Sequence, residues 1–249
     1  MERLANALSL ALLCCLFAGT ASAAEIRVLV TNSFKSVIGK IEPSFENSTG
    51  HTLSVRAAAS PVLQEEIAKG DNFDVVILIT SNLDELEKSG KTASDTRTNI
   101  ARAGLGLAVR AGQPKPDIRT PDAFKHALVN AKSVAYVTAG ASGKHLITVA
   151  ERLGIADQLK AKGKTLPTGN VAEFVANGEA ELAIQQMSEL MAVKGVDVVG
   201  ELPTEVDLVS QIAAAMSANA KQPEAAKALI KFLTTDAGTT IKASGMMPN

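Results

Sequence analysis

The chain contains no tryptophan and one tyrosine, Tyr136, so it lacks the aromatic platforms on which sugars and single-stranded bases stack. Its two cysteines, Cys14 and Cys15, both fall near the N-terminus. Beyond them there is no thiol for a disulfide, a thiolate metal site or a nucleophile. The three histidines, His51, His126 and His145, are scattered without metal-ligand spacing, and no metal site is expected. Charge is nearly balanced, with 25 Lys and Arg against 26 Asp and Glu. That balance favours neither nucleic acid nor an acidic membrane surface as a partner.

Long apolar runs are also scarce. The one present, Leu8–Gly19, follows Arg3 and precedes Ala21-Ser22-Ala23, a small-residue cleavage site. It reads as an export signal over residues 1–23, too short to span a membrane comfortably, and the mature chain is expected to start near Ala24. Cys14 follows Leu12-Leu13 rather than a small residue, which argues against lipid anchoring. A periplasmic protein of about 225 residues is expected, enough for one large domain or two lobes.

Catalytic and cofactor motifs fail on inspection. Ser89-Gly90-Lys91-Thr92 imitates the end of a phosphate-binding loop, but Glu85 stands where its first glycine belongs, among Asp84 and Glu87. Gly140-Ala141-Ser142-Gly143-Lys144 misses the hydrolase elbow because Lys144 occupies the final glycine position. A secreted serine hydrolase using Ser142 or Ser60 remains an alternative without positive support. No enzyme activity and no cofactor are expected.

What the chain does have is alternation. Strand-like runs at Ile26–Val30, Leu53–Val55, Val75–Thr80, Leu105–Val109, Val134–Val137, Glu181–Gln185 and Val196–Val199 alternate with helical segments at 34–48, 61–69, 82–89, 121–130, 143–153, 171–177 and 222–234. This is the pattern of an α/β chain with mainly parallel sheets flanked by helices. Phe34, Val37, Ile38, Ile41 and Phe45 form one apolar stripe, and Pro43 predicts a kink or restart within it. Ile100–Val109 and Val206–Met216 read as extended crossings. They divide the chain into one lobe of residues 24–101 plus 207–249 and a second of residues 102–206, with a hinged cleft between them as the default ligand site.

One junction recurs. Ile26–Val30 runs into Thr31-Asn32-Ser33, Leu53–Val55 into Ala59-Ser60-Pro61, and Val134–Val137 into Thr138-Ala139-Gly140-Ala141-Ser142-Gly143, each opening a helix. Such steps aim unpaired backbone N–H groups, hydroxyls and the positive end of a helix dipole at one place, which suits a small anion. The same serines also serve as plain helix caps in many proteins, so Ser33 and Ser60 carry both readings. Asn170, with Glu173 three residues on, reads as a cap.

The run Ile26–Phe34, then Phe45 with Thr49-Gly50, Ala58-Ala59-Ser60 with Leu63, Ile67-Ala68-Lys69-Gly70, and Phe73-Asp74-Val75-Val76 resembles the periplasmic molybdate-binding proteins of ABC importers. The similarity continues through Ala141-Ser142-Gly143, Asn170-Val171 and Gly178-Glu179-Ala180-Glu181. It implies a two-lobed periplasmic binding protein, expected as a monomer, that closes on a small oxyanion such as molybdate or tungstate and delivers it to a membrane permease. It also implies the ligands: Asn32, Ser33 and Ser60 from the first lobe, and the backbone N–H groups of Ser142 and Val171 from the second. In that family a tyrosine on the following strand reaches the anion, whereas the corresponding position here is Gln186. An organic acid bound through Arg102 is the alternative, because a guanidinium fork matches a carboxylate.

Overall fold

The computed structural model describes residues 23–249, so the export signal lies, apart from Ala23, outside the described residues. The predicted alternation is present in two sheets. The first has six strands: β1 (Glu25–Thr31), β2 (Thr52–Ala58), β3 (Val75–Ile79), β4 (Thr98–Ala103), β10 (Ser210–Met216) and β11 (Met247–Pro248), in the order β11-β4-β10-β3-β1-β2. The second has five: β5 (Leu105–Arg110), β6 (Val134–Val137), β7 (Gly163–Leu166), β8 (Leu182–Gln186) and β9 (Val196–Glu201), in the order β7-β6-β8-β5-β9.

Each sheet has a parallel part, β2-β1-β3 in one and β7-β6-β8 in the other. Antiparallel strands extend both: β10, β4 and β11 in the first, β5 and β9 in the second. The sheets are therefore mixed rather than mainly parallel: β10 and β11 in the first and β5 in the second run against the parallel set, while β4 and β9 run with it.

Helices cover the apolar faces as their stripes require. In α1 (Asn32–Thr49) the buried residues include Phe34, Val37, Ile38, Ile41 and Phe45. Phe45 meets Phe232 of α9 (Pro223–Thr235) edge-on, with ring centroids 5.5 Å apart. α1 runs through Pro43 as one helix, so of the expected kink or restart there is no restart. Pro43 sits on the exposed face, and the carbonyl it leaves without a partner belongs to Gly39, itself exposed, where water can bond it. Asp74, buried at the start of β3, accepts the backbone N–H groups of Arg27, Lys221 and Gln222, so one carboxylate joins β1 to the entry of α9.

The two crossings lie side by side. Between β4 and β5 the chain passes through Gly104, where an added Cβ would stand 2.8 Å from Asp207 Oδ2 on the returning segment. Asp207 Oδ1 accepts the N–H groups of Leu105 and Leu208, each at 2.7 Å, and so pins one crossing to the other. Ile100–Val109 is thus two strands in two sheets, not one continuous strand. Among the described residues, no helix is long and apolar enough to cross a membrane.

Candidate functional site

The junctions converge. The N-termini of α1, α2 (Ser60–Ala68), α3 (Thr80–Lys88) and α5 (Ala141–Arg152) face a cavity of about 180 Å³ between the sheets, at the C-terminal ends of β1, β3, β6 and β8. Each of these helices begins without a side-chain cap. A missing cap is not peculiar to the cavity, since α9 also begins without one, whereas α4 (Pro121–Asn130) is capped by Thr120 Oγ1 accepting the Ala123 N–H. Uncapped first turns leave N–H donors and dipole ends at the cavity wall, an arrangement that stabilises negative charge.

Neither serine of the first lobe acts as an N-cap. Ser33 lies inside the first turn of α1, 4 % exposed, and its hydroxyl has no hydrogen-bond partner. Ser60 opens α2, one position later than an N-cap, and its Oγ accepts the Ile79 N–H at 3.2 Å, leaving its own proton to donate. Asn32, Ser81 and Asn82 line the same wall. From the second lobe come Ser142, Lys144, Gln185, Gln186 and Glu189. Gly143 lets α5 approach β6: a Cβ there would fall 1.6 Å from the Val137 carbonyl oxygen.

Two of the residues named from sequence stand elsewhere. Val171 is fully buried, and its N–H donates to Gln185 Oε1 at 3.0 Å. The Gln185 carboxamide is wholly engaged, its Nε2 donating to the Gly169 carbonyl oxygen and to Glu189 Oε1. The backbone donor expected at Val171 is therefore consumed within the protein. Arg102 is exposed on β4, opposite Gln211 on one side and Met247 on the other, and is not part of the cavity wall. Alternation along β4 turns Ala101 and Ala103 into the core and Arg102 out of it.

Gln186, on the cavity wall at the end of β8, has a buried side-chain oxygen without a partner. Asn170 behaves as a cap, Oδ1 accepting the Ala172 N–H at the start of α7 (Ala172–Ala176), while Nδ2 donates to the Glu189 carbonyl oxygen.

Sequence reasoning missed Glu189. It sits in α8 (Met187–Leu190), a helix too short to show a period, and it is half-buried with part of its surface on the cavity. Desolvation pushes it up to about 8, opposed by the Gln185 amide and the Gln186 backbone N–H. That direction favours the protonated form at neutral pH. The same short helix touches the first lobe, where the Ser188 hydroxyl donates to the Ser33 carbonyl oxygen at 2.7 Å in a buried contact.

No histidine lines the cavity among the described residues. His145 Nε2 meets the Val206 carbonyl oxygen at 3.0 Å, His51 Nδ1 accepts the Ala24 N–H, and His126 lines a separate cavity. Ser89-Gly90-Lys91-Thr92 is the end of α3, with Gly90 left-handed at φ 65°.

Two helix-flanked sheets joined by paired crossings, with a cavity between them that presents serine, asparagine and glutamine side chains, make a two-lobed binding-protein fold. The model of the bacterial extracellular solute-binding proteins matches residues 26–246, and the chain belongs to that family. An aconitate isomerase from a Pseudomonas species is 37% identical over 230 residues, covering 90% of this chain and 87% of that protein. The molybdate-binding protein of Azotobacter vinelandii is 29% identical over 262 residues, covering 98% and 97% of the two chains. The solved structure of the periplasmic molybdate-binding protein of that organism superposes with a TM-score of 0.76 at 18% identity, covering 89% of this chain and 98% of that one. The likeness to molybdate-binding proteins read from the sequence thus holds in sequence and in fold.

Proposed function

We propose that this chain is the periplasmic solute-binding component of an ABC importer and that its lobes close on a small organic anion carrying several carboxylates, for delivery to a membrane permease. The observation that carries this reading is the cavity wall. Uncapped helix starts, the hydroxyls of Ser33, Ser60 and Ser142, and a single cation, Lys144, face space of about 180 Å³. The engaged Val171 N–H and the absence of a tyrosine at Gln186 both weigh against molybdate. The Pseudomonas relative, named for a tricarboxylate, weighs for an organic acid. Arg102 has no part in it.

Glu189 favours a second reading, in which the bound anion is also isomerised. A protonated carboxyl at the cavity wall is a group suited to moving a proton on a substrate near neutral pH, and the relative at 37% identity is named an isomerase.

The test is a thermal-shift screen of the mature protein against molybdate, tungstate, sulfate, phosphate, citrate, cis-aconitate and trans-aconitate. A ligand at 100 times its Kd adds about 2.7 kcal/mol of stability. A shift with tricarboxylates alone is expected; a shift with molybdate or tungstate alone would return the cleft to oxyanions. Proton NMR of the protein with either aconitate isomer decides the second reading, since interconversion supports it and unchanged spectra refute it.

A further inference from the structure

Among the charged groups at the cavity, Glu189 is out of place. An anion site built from helix N-termini, hydroxyls and Lys144 has no use for a carboxylate, yet Glu189 is the one carboxyl on its wall. No cation pairs with it among the described residues. Its Oε1 accepts the neutral Gln185 Nε2 at 2.9 Å, the Gln186 backbone N–H also acts on the carboxyl, and Gln185 is itself fixed by Gly169 and Val171. The carboxyl is therefore steadied by neutral amides alone, on a residue that lines the cavity. Two buried oxygens have no partners, Ser33 Oγ from the first lobe and Gln186 Oε1 at the end of the strand that leads into α8, so this part of the wall is short of hydrogen-bond partners that a ligand would supply.

We propose that Glu189 is a ligand-binding residue that works as a neutral acid: its proton is donated to a carboxylate oxygen of the bound anion, so that the cleft captures anion and proton together. This rests on the reading that the cleft takes an organic anion, and it adds the group that sets the protonation state of the complex. A neutral Glu189 contributes a short donor to the anion, whereas an ionised one repels it in a desolvated site.

The surroundings leave Glu189 as the titrating group. Lys144 lines the same cavity. Lys35 on α1, Arg110 on β5 and Glu201 on β9, elements packed on or beside α8, are exposed, and Asp197 on β9 accepts the Gly112 N–H. β8 brings only glutamines, Gln185 and Gln186. Burial without a compensating charge then keeps the proton on Glu189 at neutral pH.

Calorimetry with trans-aconitate between pH 6.5 and 9.5 tests this. Ordinary carboxylic acids are ionised throughout that range, so the probe keeps its charge. For the wild-type chain Kd is expected to be flat below pH 8 and to rise about tenfold per unit above it. At pH 9, titrations in two buffers of different ionisation enthalpy should report uptake of nearly one proton per anion bound. Glu189→Gln, which keeps shape and a donor but cannot titrate, should bind with a Kd independent of pH and take up no proton. A wild-type Kd flat to pH 9.5, or a variant that follows the wild-type curve, overturns the proposal. No binding of trans-aconitate to folded wild-type protein at any pH overturns instead the functional reading beneath it.

Discussion

Ser33 and Ser60 look alike in sequence and differ in the structure, and that difference makes opposite predictions for stability. Ser33 Oγ is buried without a partner, a state that costs roughly 1–3 kcal/mol relative to a solvated hydroxyl. Ser33→Ala removes the cost and nothing that holds the fold, because the contact with Ser188 uses the Ser33 carbonyl oxygen, which alanine keeps. The unliganded variant should gain about 1 kcal/mol, a rise in Tm of about 2–4 °C for a chain of this size. Ser60 Oγ accepts the Ile79 N–H, so Ser60→Ala leaves that donor unpaired and should lose about 1–2 kcal/mol, with Tm falling by a similar margin. Both hydroxyls donate to the anion in the proposed complex. Each variant should therefore bind more weakly by about 1–3 kcal/mol, roughly 5- to 150-fold in Kd. Differential scanning calorimetry of the unliganded proteins and titration calorimetry with the ligand measure the two effects separately. If Ser33→Ala destabilises as Ser60→Ala does, or leaves the affinity unchanged, the assignment of Ser33 as a donor kept waiting for ligand is wrong.

Three further outcomes are expected. Glu189 holds its proton to about pH 8 when folded against an ordinary value of 4.5, so the folded chain binds more protons than the unfolded one in that window. Stability of the unliganded protein should then fall as pH rises from about 4.5 to 8, by at most roughly 1.4 kcal/mol per unit, and Glu189→Gln should flatten this slope in urea titrations; equal slopes in both proteins would refute the raised value. Gly143→Ala sets a methyl 1.6 Å from the Val137 carbonyl oxygen and must push α5 away from β6, costing about 1–3 kcal/mol or more and displacing Ser142; an unchanged Tm with unchanged binding would show that the approach is not tight. Arg102→Ala should leave ligand affinity unchanged by calorimetry, and a loss of tenfold or more would bring Arg102 back into the site.

Much of the architecture was legible because it depends on local periodicity. The strands at Ile26–Val30, Val75–Thr80 and Val134–Val137 are largely apolar on both faces, and the structure places them within a residue of the predicted ends, with Arg27 the one exposed position among them. β7 escaped notice because Gly163-Lys164-Thr165-Leu166 is a short edge strand with a largely polar sequence. α8 escaped because four residues cannot establish a helical stripe, and Glu189 went with it.

The sequence by itself determined the α/β alternation and the strand-to-serine-to-helix junctions as local features. Apolar periodicity and helix-start chemistry act over a few residues, so they can be read along the chain. The tertiary structure alone decided which of the junction groups stay free. Val171 loses its N–H to a glutamine 14 residues away, Ser33 is left with an unpaired hydroxyl, and β4 turns Arg102 outward. Glu189 becomes an acid because the fold withdraws it from water without giving it a cation. Solvation and hydrogen-bond partnership depend on what packs nearby in space, and neither is a property of the residue or its neighbours in sequence.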